Sequence, residues 1–285
     1  MICGQFEDRE KTRCRVCNTD LSERHIVLRK VYDDDQQEKV LALYTCPACG
    51  LKWEAEPTLN ELKAWAMLMK GASLQAQARF HEALACFEWI LTVNPSSAMG
   101  WYNKGCVLSN LQRIEEALQC FDHALAIDPE DADAWHNKAS NLRTLGHFSE
   151  ALECFDRALI INPRLAITWT NKGNMLLATG CYQEALECYN HALALNPRSV
   201  MAWLGRGCVL ERTDRLSKAM ECYEEALKVE PENAEAWYHK ANALAMLQEV
   251  VAAVNCYDRL LAIDPQHTAA QHNKEVLLAK LKRVP

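Results

Sequence analysis

The chain has 285 residues, of which 49% are hydrophobic and 24% charged, and its formal net charge at pH 7 is -7, a composition typical of a soluble protein. The acidic balance argues against a basic nucleic-acid-binding face, and without a run of about 18 apolar residues we expect no transmembrane helix. Residues 1–11 carry three acidic side chains and lack the apolar core of a signal peptide, so we predict a cytoplasmic location.

Two CxxC pairs stand near the N-terminus, Cys14 with Cys17 and Cys46 with Cys49. Four thiolates in two such pairs suit a closed, tetrahedral zinc site. We therefore predict a structural Zn2+ ion that leaves no open position for catalysis. A disulfide framework is typical of short secreted chains, so we interpret the cysteines of this chain as reduced thiols.

The stretch between the two pairs is rich in residues that favour β-structure. Residues 25–32 and 39–44 predict the strands of a hairpin, and residues 51–53 predict a third strand. Together with the four cysteines, these segments resemble a zinc ribbon over about residues 12–55. The resemblance implies a small β-rich module that depends on its metal, because so short a segment buries little apolar surface. We place this first domain at residues 1–56.

A 34-residue period runs through the rest of the chain. Tryptophan and proline both keep this interval, at Trp101, Trp135, Trp169, Trp203 and Trp237 and at Pro95, Pro129, Pro163, Pro197, Pro231 and Pro265. Such a period indicates a solenoid, in which each unit buries its apolar face only against its neighbours. Spacings of four and three between apolar or small residues predict two amphipathic helices per unit, as in Trp101, Gly105, Leu108 and then Ala117, Phe121, Ala124.

The anchor residues of the repeat carry a family resemblance. Tryptophan and glycine in the first helix, alanines around an aromatic residue in the second, and a closing proline resemble the tetratricopeptide repeat, as in Trp169, Gly173, Ala185, Tyr189, Ala192 and Pro197. The resemblance covers about residues 64–267 and implies an all-α helical solenoid. The predicted fold is therefore a tetratricopeptide repeat (TPR) solenoid of six repeats, residues 57–267, between the zinc ribbon and a C-terminal capping helix, residues 268–285.

Single residues predict where the helices begin. Thr58 with Glu61, and Thr268 with Gln271, have the spacing of capping boxes. Four further first helices are each preceded by a residue that favours the N-cap, namely Ser97, Asp131, Ser199 and Asn233. In the third and fourth repeats a glycine marks the turn between the two helices.

Two other positions recur in the repeats, which we number from the first residue of the first helix, so that Ala98 is position 1. Position 7 is a cation where the family usually has leucine, and we expect its aliphatic stem to lie along the stack with its charge in water. Position 23 is cysteine throughout, at Cys86, Cys120, Cys154, Cys188, Cys222 and Cys256. Because stacked helix axes lie about 8–10 Å apart, we interpret these cysteines as small buried hydrophobes rather than as a metal or redox ladder.

The family resemblance implies that a stripe of the first helices lines a concave groove. Position 6 is asparagine in three consecutive repeats, at Asn103, Asn137 and Asn171, before Gly205 and His239 interrupt the series. An asparagine amide offers one acceptor and two donors, so it can pair with peptide N–H and C=O groups regardless of the peptide's side chains. We predict a peptide-binding groove formed by Asn103, Asn137, Asn171, Tyr102, His136, Asn174, Tyr238 and Asn242. The alternative is that these asparagines are inherited with the repeat and merely solvated.

The predicted function is a protein–protein interaction scaffold or adaptor that binds an extended segment of a partner protein in the groove. The alternative is a nucleic-acid-associated adaptor, in which the zinc ribbon contacts DNA or RNA while the repeats recruit a protein. We do not predict an enzyme, because the sequence contains no glycine-rich phosphate loop, nucleophile elbow or HExxH motif.

Overall fold

The computed structural model describes residues 26–32, 38–45, 52–55 and 58–281. The chain forms two compact units, residues 1–147 and residues 148–285. The predicted zinc ligands Cys14, Cys17, Cys46 and Cys49 lie outside the described residues. Among the described helices, none is long and apolar enough to cross a membrane. The domain boundaries expected after residues 56 and 267 stay predictions.

The first unit begins with three antiparallel strands, β1 Ile26–Tyr32, β2 Glu38–Thr45 and β3 Lys52–Ala55, in the sheet order β1-β2-β3. In the backbone register, Ile26 pairs with Tyr44 and Tyr32 with Glu38, while Thr45 of β2 pairs with Lys52 of β3. These strands lie where the sequence predicted a hairpin and a third strand. The zinc ribbon itself stays a prediction, since all four cysteines are among the residues that are not described.

Five helices follow among the described residues of the first unit: α1 Leu59–Ala76, α2 Phe80–Val93, α3 Ala98–Asn110, α4 Ile114–Ile127 and α5 Ala132–Thr144. In the part of the second unit that the structure describes there are eight: α6 Phe148–Ile161, α7 Ala166–Ala178, α8 Tyr182–Leu195, α9 Val200–Arg212, α10 Leu216–Val229, α11 Ala234–Met246, α12 Val250–Ile263 and α13 Thr268–Leu281. Within each unit every helix packs against the next one in the chain, and first helices of successive repeats also touch. The predicted all-α helical repeat architecture is thus confirmed within each unit.

Five of the six N-terminal caps that the sequence predicted are present. Thr58 and Glu61 form both bonds of a capping box, at 2.5 and 3.2 Å. Four other predicted N-caps each accept a hydrogen bond from the backbone N–H three residues later, namely Ser97, Asp131, Ser199 and Asn233. Each cap satisfies one of the donors that a helix start leaves without an intrahelical partner.

The capping box predicted at Thr268 and Gln271 was wrong. Thr268 is already the first residue of α13, and the backbone N–H of Ala270 donates to the imidazole Nδ1 of His267 at 3.1 Å. The Gln271 side chain instead donates to the carbonyl of Pro265 at 2.7 Å. A histidine ring can accept this bond as well as a hydroxyl can, and its position one residue earlier moves the helix start.

The turn between the helices of one repeat has the same hydrogen bonds throughout the described repeats. In the second repeat, the Arg113 N–H donates to the Leu108 carbonyl at 2.9 Å and the Gln112 N–H to the Ser109 carbonyl at 3.0 Å, which is a Schellman motif. The motif needs one left-handed residue. Gly146 and Gly180 supply it with φ of 81°, whereas non-glycine residues adopt it at Ala78, Gln112, Asp214 and Gln248.

Each repeat buries an aromatic residue of its second helix at position 24, and in the first, second, fourth and fifth repeats this ring packs against a glycine of the first helix. Phe121 is fully buried, and its ring lies so close to Gly105 that an added Cβ would come within 2.9 Å of it. The cysteines at position 23 are buried beside these rings, and burial raises the pKa of Cys120, Cys188 and Cys222 to about 11. Their prediction as buried hydrophobes is confirmed.

Tryptophan and the position-7 cation form a second recurring contact. The indole Nε1–H of each tryptophan donates at 2.9 Å to the carbonyl of the proline six residues earlier, in Trp101, Trp135, Trp169, Trp203 and Trp237. The lysine or arginine of position 7 lies over the indole ring, 5.4–6.0 Å from its centroid. The stem therefore packs as predicted, but the lysine ammonium groups pair with carboxylates of the preceding helix rather than with water alone.

Candidate functional site

The predicted groove residues come from positions 5, 6 and 9 of the first helices, and they fall in both units. In the first unit, α3 and α5 bring together five half-buried side chains, which we call the N-terminal amide surface: Tyr102, Asn103, Cys106, His136 and Asn137. Positions 5, 6 and 9 share one face because they are separated by one, three and four residues on a helix. Contact between α3 and α5 continues this face across two repeats.

One amide of this surface is held by its neighbours. The Asn137 Nδ2 donates to the Tyr102 hydroxyl at 2.9 Å and contacts the Cys106 sulfur at 3.5 Å. Its Oδ1 therefore remains as the group that can accept from a ligand. The Asn103 Nδ2 donates to the Met99 carbonyl of its own helix at 2.8 Å, so this residue also presents mainly its oxygen.

The N-terminal amide surface is electrically neutral near pH 7. Burial raises the pKa of Tyr102 above its usual range and raises the pKa of the Cys106 thiol to about 11. Burial also lowers the pKa of His136, although the nearby carboxylate of Asp133 acts in the opposite direction. Hydrogen bonding and apolar contact, rather than charge, are what this surface can offer a ligand.

In the second unit two amides are oriented the opposite way. The Tyr189 hydroxyl donates to Asn174 Oδ1 at 2.7 Å, and the Tyr257 hydroxyl donates to Asn242 Oδ1 at 2.5 Å. Asn273 of the cap helix donates to Asn242 Oδ1 at 3.3 Å. We call these five residues the C-terminal amide surface. Because the oxygens of Asn174 and Asn242 are occupied, their amide N–H groups are left to donate to a ligand.

The remaining predicted residues of the second unit lie on the same helices. Asn171 is half-buried, and its side chain makes no hydrogen bond within the described part of the chain. Tyr238 packs against the ring of His267, with ring centroids 5.0 Å apart. It also meets the edge of Tyr257, at 6.4 Å. Asn171 is thus an uncommitted amide, whereas Tyr238 is fixed by aromatic neighbours.

A histidine cluster interrupts the asparagine series in the fifth and sixth repeats. The His239 ring stacks on Tyr223, with centroids 5.4 Å apart, and its Nδ1 lies 3.6 Å from the Glu211 carboxylate. The Tyr223 hydroxyl donates to the same carboxylate at 2.7 Å. The Cys208 sulfur completes the cluster, 3.8 Å from His239 Nε2.

The histidine cluster carries a cation and an anion in contact. Burial alone lowers the pKa of His239, but hydrogen bonding with Cys208 and Glu211 outweighs it and raises the pKa to about 10. Burial raises the pKa of Glu211, while the bonds from His239 and Tyr223 outweigh this effect and lower it overall. The pair is therefore ionised at neutral pH and its two charges compensate each other.

Sequence reasoning missed the tyrosines of position 24. The residue there is phenylalanine in the first three repeats and tyrosine in Tyr189, Tyr223 and Tyr257, and the pattern assigned all six to the core. Their rings are buried, yet each hydroxyl reaches a polar side chain of the groove stripe. The sequence did contain a signal, because two changes occur together. After Tyr189 and Tyr223, position 6 of the next repeat is no longer asparagine.

Gly205 shows why the series is interrupted. A Cβ at this position would collide with the ring and hydroxyl of Tyr189. The tyrosine thus takes the space that the asparagine side chain fills in earlier repeats. Within the described residues, no group of three or more histidine, cysteine or acidic side chains is arranged to hold a metal ion.

Comparison with known proteins identifies the repeats. Family models described as tetratricopeptide repeat match residues 71–136, 132–165, 166–199 and 215–268, together well over half of the chain. The chain belongs to the tetratricopeptide repeat family. Tetratricopeptide repeats serve as protein-interaction scaffolds and generally carry no catalytic activity of their own. No curated protein gives a significant match.

Solved structures share the tetratricopeptide repeat fold. YrrB, described as a TPR protein with an unusual peptide-binding site, is 24% identical, with a TM-score of 0.57 over 66% of this chain and 97% of YrrB. Pseudomonas aeruginosa PilF is 18% identical, with a TM-score of 0.69 over 76% of this chain and 99% of PilF. MamA from Desulfovibrio magneticus RS-1 is 20% identical, with a TM-score of 0.56 over 60% and 96%. At these identities the similarity establishes the fold alone.

Proposed function

We propose that this tetratricopeptide repeat protein is an adaptor whose first-helix surfaces each bind an extended segment of a partner protein. The observation that carries the proposal is the orientation of the amides by neighbouring tyrosines. Tyr102 holds the nitrogen of Asn137, whereas Tyr189 and Tyr257 hold the oxygens of Asn174 and Asn242. A side chain fixed in this way loses little further rotamer entropy when it binds, which favours affinity.

The two amide surfaces would complement different halves of the peptide group. The N-terminal amide surface offers acceptors to peptide N–H groups, and the C-terminal amide surface offers donors to peptide carbonyls. Each such bond contributes about 0.5–1.5 kcal/mol, and main-chain recognition tolerates many partner sequences. In the second unit Ile167 and Met201 are more than half exposed at position 2, where they can add adaptable apolar contact. The described peptide-binding site of YrrB is consistent with this use of the fold.

The decisive experiment substitutes the amides and keeps the fold. An unstructured peptide selected from a random library on the intact chain serves as the probe, and its dissociation constant is measured by fluorescence anisotropy. The triple variant of Asn103, Asn137 and Asn171 to Ala should weaken binding at least tenfold, about 1.4 kcal/mol, with an almost unchanged melting temperature. Separate variants in each unit, N103A/N137A and N171A/N174A, then locate the binding surface.

Asn255→Ala is the matched control, since Asn255 is an exposed asparagine on the second helix α12. It should leave the affinity unchanged. If the triple variant binds as tightly as the intact chain, the asparagines are only solvated and the proposal is wrong. The nucleic-acid alternative is not favoured, because the recurring lysines of position 7 are already paired with carboxylates.

We also propose that Cys14, Cys17, Cys46 and Cys49 hold one structural Zn2+ ion. The support is the spacing of the two CxxC pairs on either side of strands β1 and β2. Elemental analysis of the purified chain should find one zinc per molecule, and the double substitution C46S/C49S should remove it. Cys181→Ser, at an exposed cysteine of the repeats, should retain the zinc. A metal-free intact chain would refute this proposal.

A further inference from the structure

The position-7 cations form a row of ion pairs along the repeats. Five lysines of the row each pair at 2.5–3.1 Å with the acidic residue sixteen positions earlier, on the preceding second helix: Lys104 with Glu88, Lys138 with Asp122, Lys172 with Asp156, Lys240 with Glu224 and Lys274 with Asp258. The lysine side chains are only 19–28% exposed, whereas the carboxylates are about half exposed, at 49–58%. In four of the five pairs, Lys274 being the exception, the lysine also lies over a tryptophan ring. The recurring arrangement is therefore a cation stacked on tryptophan and paired with a carboxylate.

Arg206 departs from this arrangement. Its guanidinium lies over the Trp203 ring at 5.5 Å, as the lysines do, but the residue sixteen positions earlier is Asn190 instead of an acid. Among the described residues Arg206 forms no ion pair, and its Nε is buried with no hydrogen-bond partner. The fifth repeat thus contains the cation and the tryptophan of this arrangement without the carboxylate.

An unsatisfied donor of this kind has a physical cost. A buried polar group without a partner destabilises a fold, and such groups are rare in native structures. Arginine also differs from lysine in presenting a planar fork that matches a carboxylate with two parallel hydrogen bonds. Contact with Trp203 covers one face of the guanidinium. Because Nε is buried, the terminal Nη groups are the donors that a carboxylate from outside can reach.

We infer that Arg206 binds a carboxylate side chain supplied by a protein partner, at the place where aspartate or glutamate closes the other pairs. The equivalent sites are built around carboxylates, which sets the expected ligand. The chain's net charge of -7 also disfavours polyanions such as nucleic acid. This site lies at position 7, not among positions 5, 6 and 9 that form the amide surfaces, so it extends the proposed adaptor function with a second contact point.

The test uses N-acetyl-glutamate amide as the probe and the intact chain as the protein. Titration is followed by the 15N-detected Nε–H signal of Arg206 and the indole signal of Trp203 at constant ionic strength. The intact chain should show a saturable shift of both signals. N-acetyl-glutamine amide, which has the same shape without the charge, should bind at least tenfold more weakly.

Asn190→Asp is the informative variant, because it restores the missing carboxylate without touching Arg206. It should move the Arg206 signal before any probe is added and weaken the response to the probe at least tenfold. The indole signals of Trp169 and Trp237 should stay in place, which would show an intact fold.

Three results would overturn the inference. The first is no saturable shift in the intact chain. The second is an equal response of the Asn190→Asp variant. The third is tighter binding of O-phosphoserine amide than of the glutamate probe at equal ionic strength. None of these results depends on peptide binding to the amide surfaces, so this inference and the proposed function can fail separately.

Discussion

At the scale of single residues, one oxygen atom separates a core residue from a groove residue in this protein. Position 24 buries an aromatic ring in every repeat, but Tyr189, Tyr223 and Tyr257 add a hydroxyl that reaches the polar stripe. The hydrophobic pattern predicts the burial of the ring but not the partner of the hydroxyl, because tyrosine combines an apolar body with a polar end. For this reason the sequence located the asparagines but not the groups that orient them.

The histidine cluster gives a pH dependence with a defined sign. The pKa of His239 is raised from 6.5 to about 10 in the folded chain, so the stabilisation is fully present below pH 6.5 and is lost as the pH rises towards 10. Because the pair is partly exposed, we expect it to contribute on the order of 1 kcal/mol. The free energy of unfolding in urea, measured at pH 6.5 and pH 9.5, should fall more for the intact chain than for His239→Asn.

The comparison with His239→Asn removes the contribution of the buried cysteines, which titrate in the same alkaline range in both proteins. Asparagine is the residue of this position in earlier repeats, so the variant should fold. In a Glu211→Gln variant the imidazole signals of His239 should titrate at a lower pH. Identical pH profiles for the intact chain and His239→Asn would show that the pair is not ionised.

At the scale of helices and turns, the sequence placed the three strands and the starts of five first helices within a residue or two. Proline closes each second helix and a polar residue caps most first helices, and both signals act locally. The exception is α13, where His267 performs the capping that was assigned to Thr268. Histidine is an uncommon cap, and its role depends on which ring nitrogen accepts, which a sequence pattern does not encode.

In the turns between paired helices, introducing a glycine and removing a glycine should have opposite effects on stability. Gln112 adopts the left-handed conformation with φ of 59°, which costs a residue with a side chain about 1–2 kcal/mol. Gln112→Gly should therefore raise the free energy of unfolding by about 0.5 kcal/mol, after the larger chain entropy of glycine is subtracted. Gly146→Ala should lower it by about 1 kcal/mol, although no atom lies within 4 Å of the added methyl group.

The free energy of unfolding of both variants, measured by chemical denaturation, checks these two predictions. Since the space around Gly146 is open, steric collision cannot explain a loss there, and the backbone conformation alone is tested. Changes of the same sign in Gln112→Gly and Gly146→Ala would contradict the argument.

At the scale of the molecule, the 34-residue period was sufficient to predict a helical repeat fold, because each repeat depends only on contacts with its neighbours. The period does not predict where the chain divides into compact units, which lies between His147 and Phe148. The repeat pattern is the same on both sides of that point, so no change of residue type marks it. The division into units is thus a property of packing that the anchor residues leave open.

Dependence on neighbours also predicts a local response at the C-terminal end. Leu277 of α13 is 6% exposed and packs in one cluster with Tyr257 and Leu260 of α12. Leu277→Ala should cost about 2–3 kcal/mol and speed hydrogen exchange in α12 and α13. Exchange in α3 and α4 should not change.

Val276→Ala is the matched control, since Val276 is 42% exposed one residue earlier on the same helix. It should change stability by less than about 0.5 kcal/mol. Hydrogen exchange followed by mass spectrometry reports both variants peptide by peptide. Faster exchange throughout the chain in Leu277→Ala would mean that the array unfolds as one cooperative block.

The bond from each tryptophan indole to the proline carbonyl six residues earlier joins the start of a repeat to the loop that introduces it. Both partners of this hydrogen bond lie within one 34-residue period. Deleting or duplicating 34 residues at any matching point therefore leaves every tryptophan with its own proline. Gene rearrangements of whole periods can therefore lengthen or shorten this array without requiring a new contact between a repeat and its preceding loop. Such an event changes which side chains line the proposed binding face, and with them the partners that the proposed adaptor accepts.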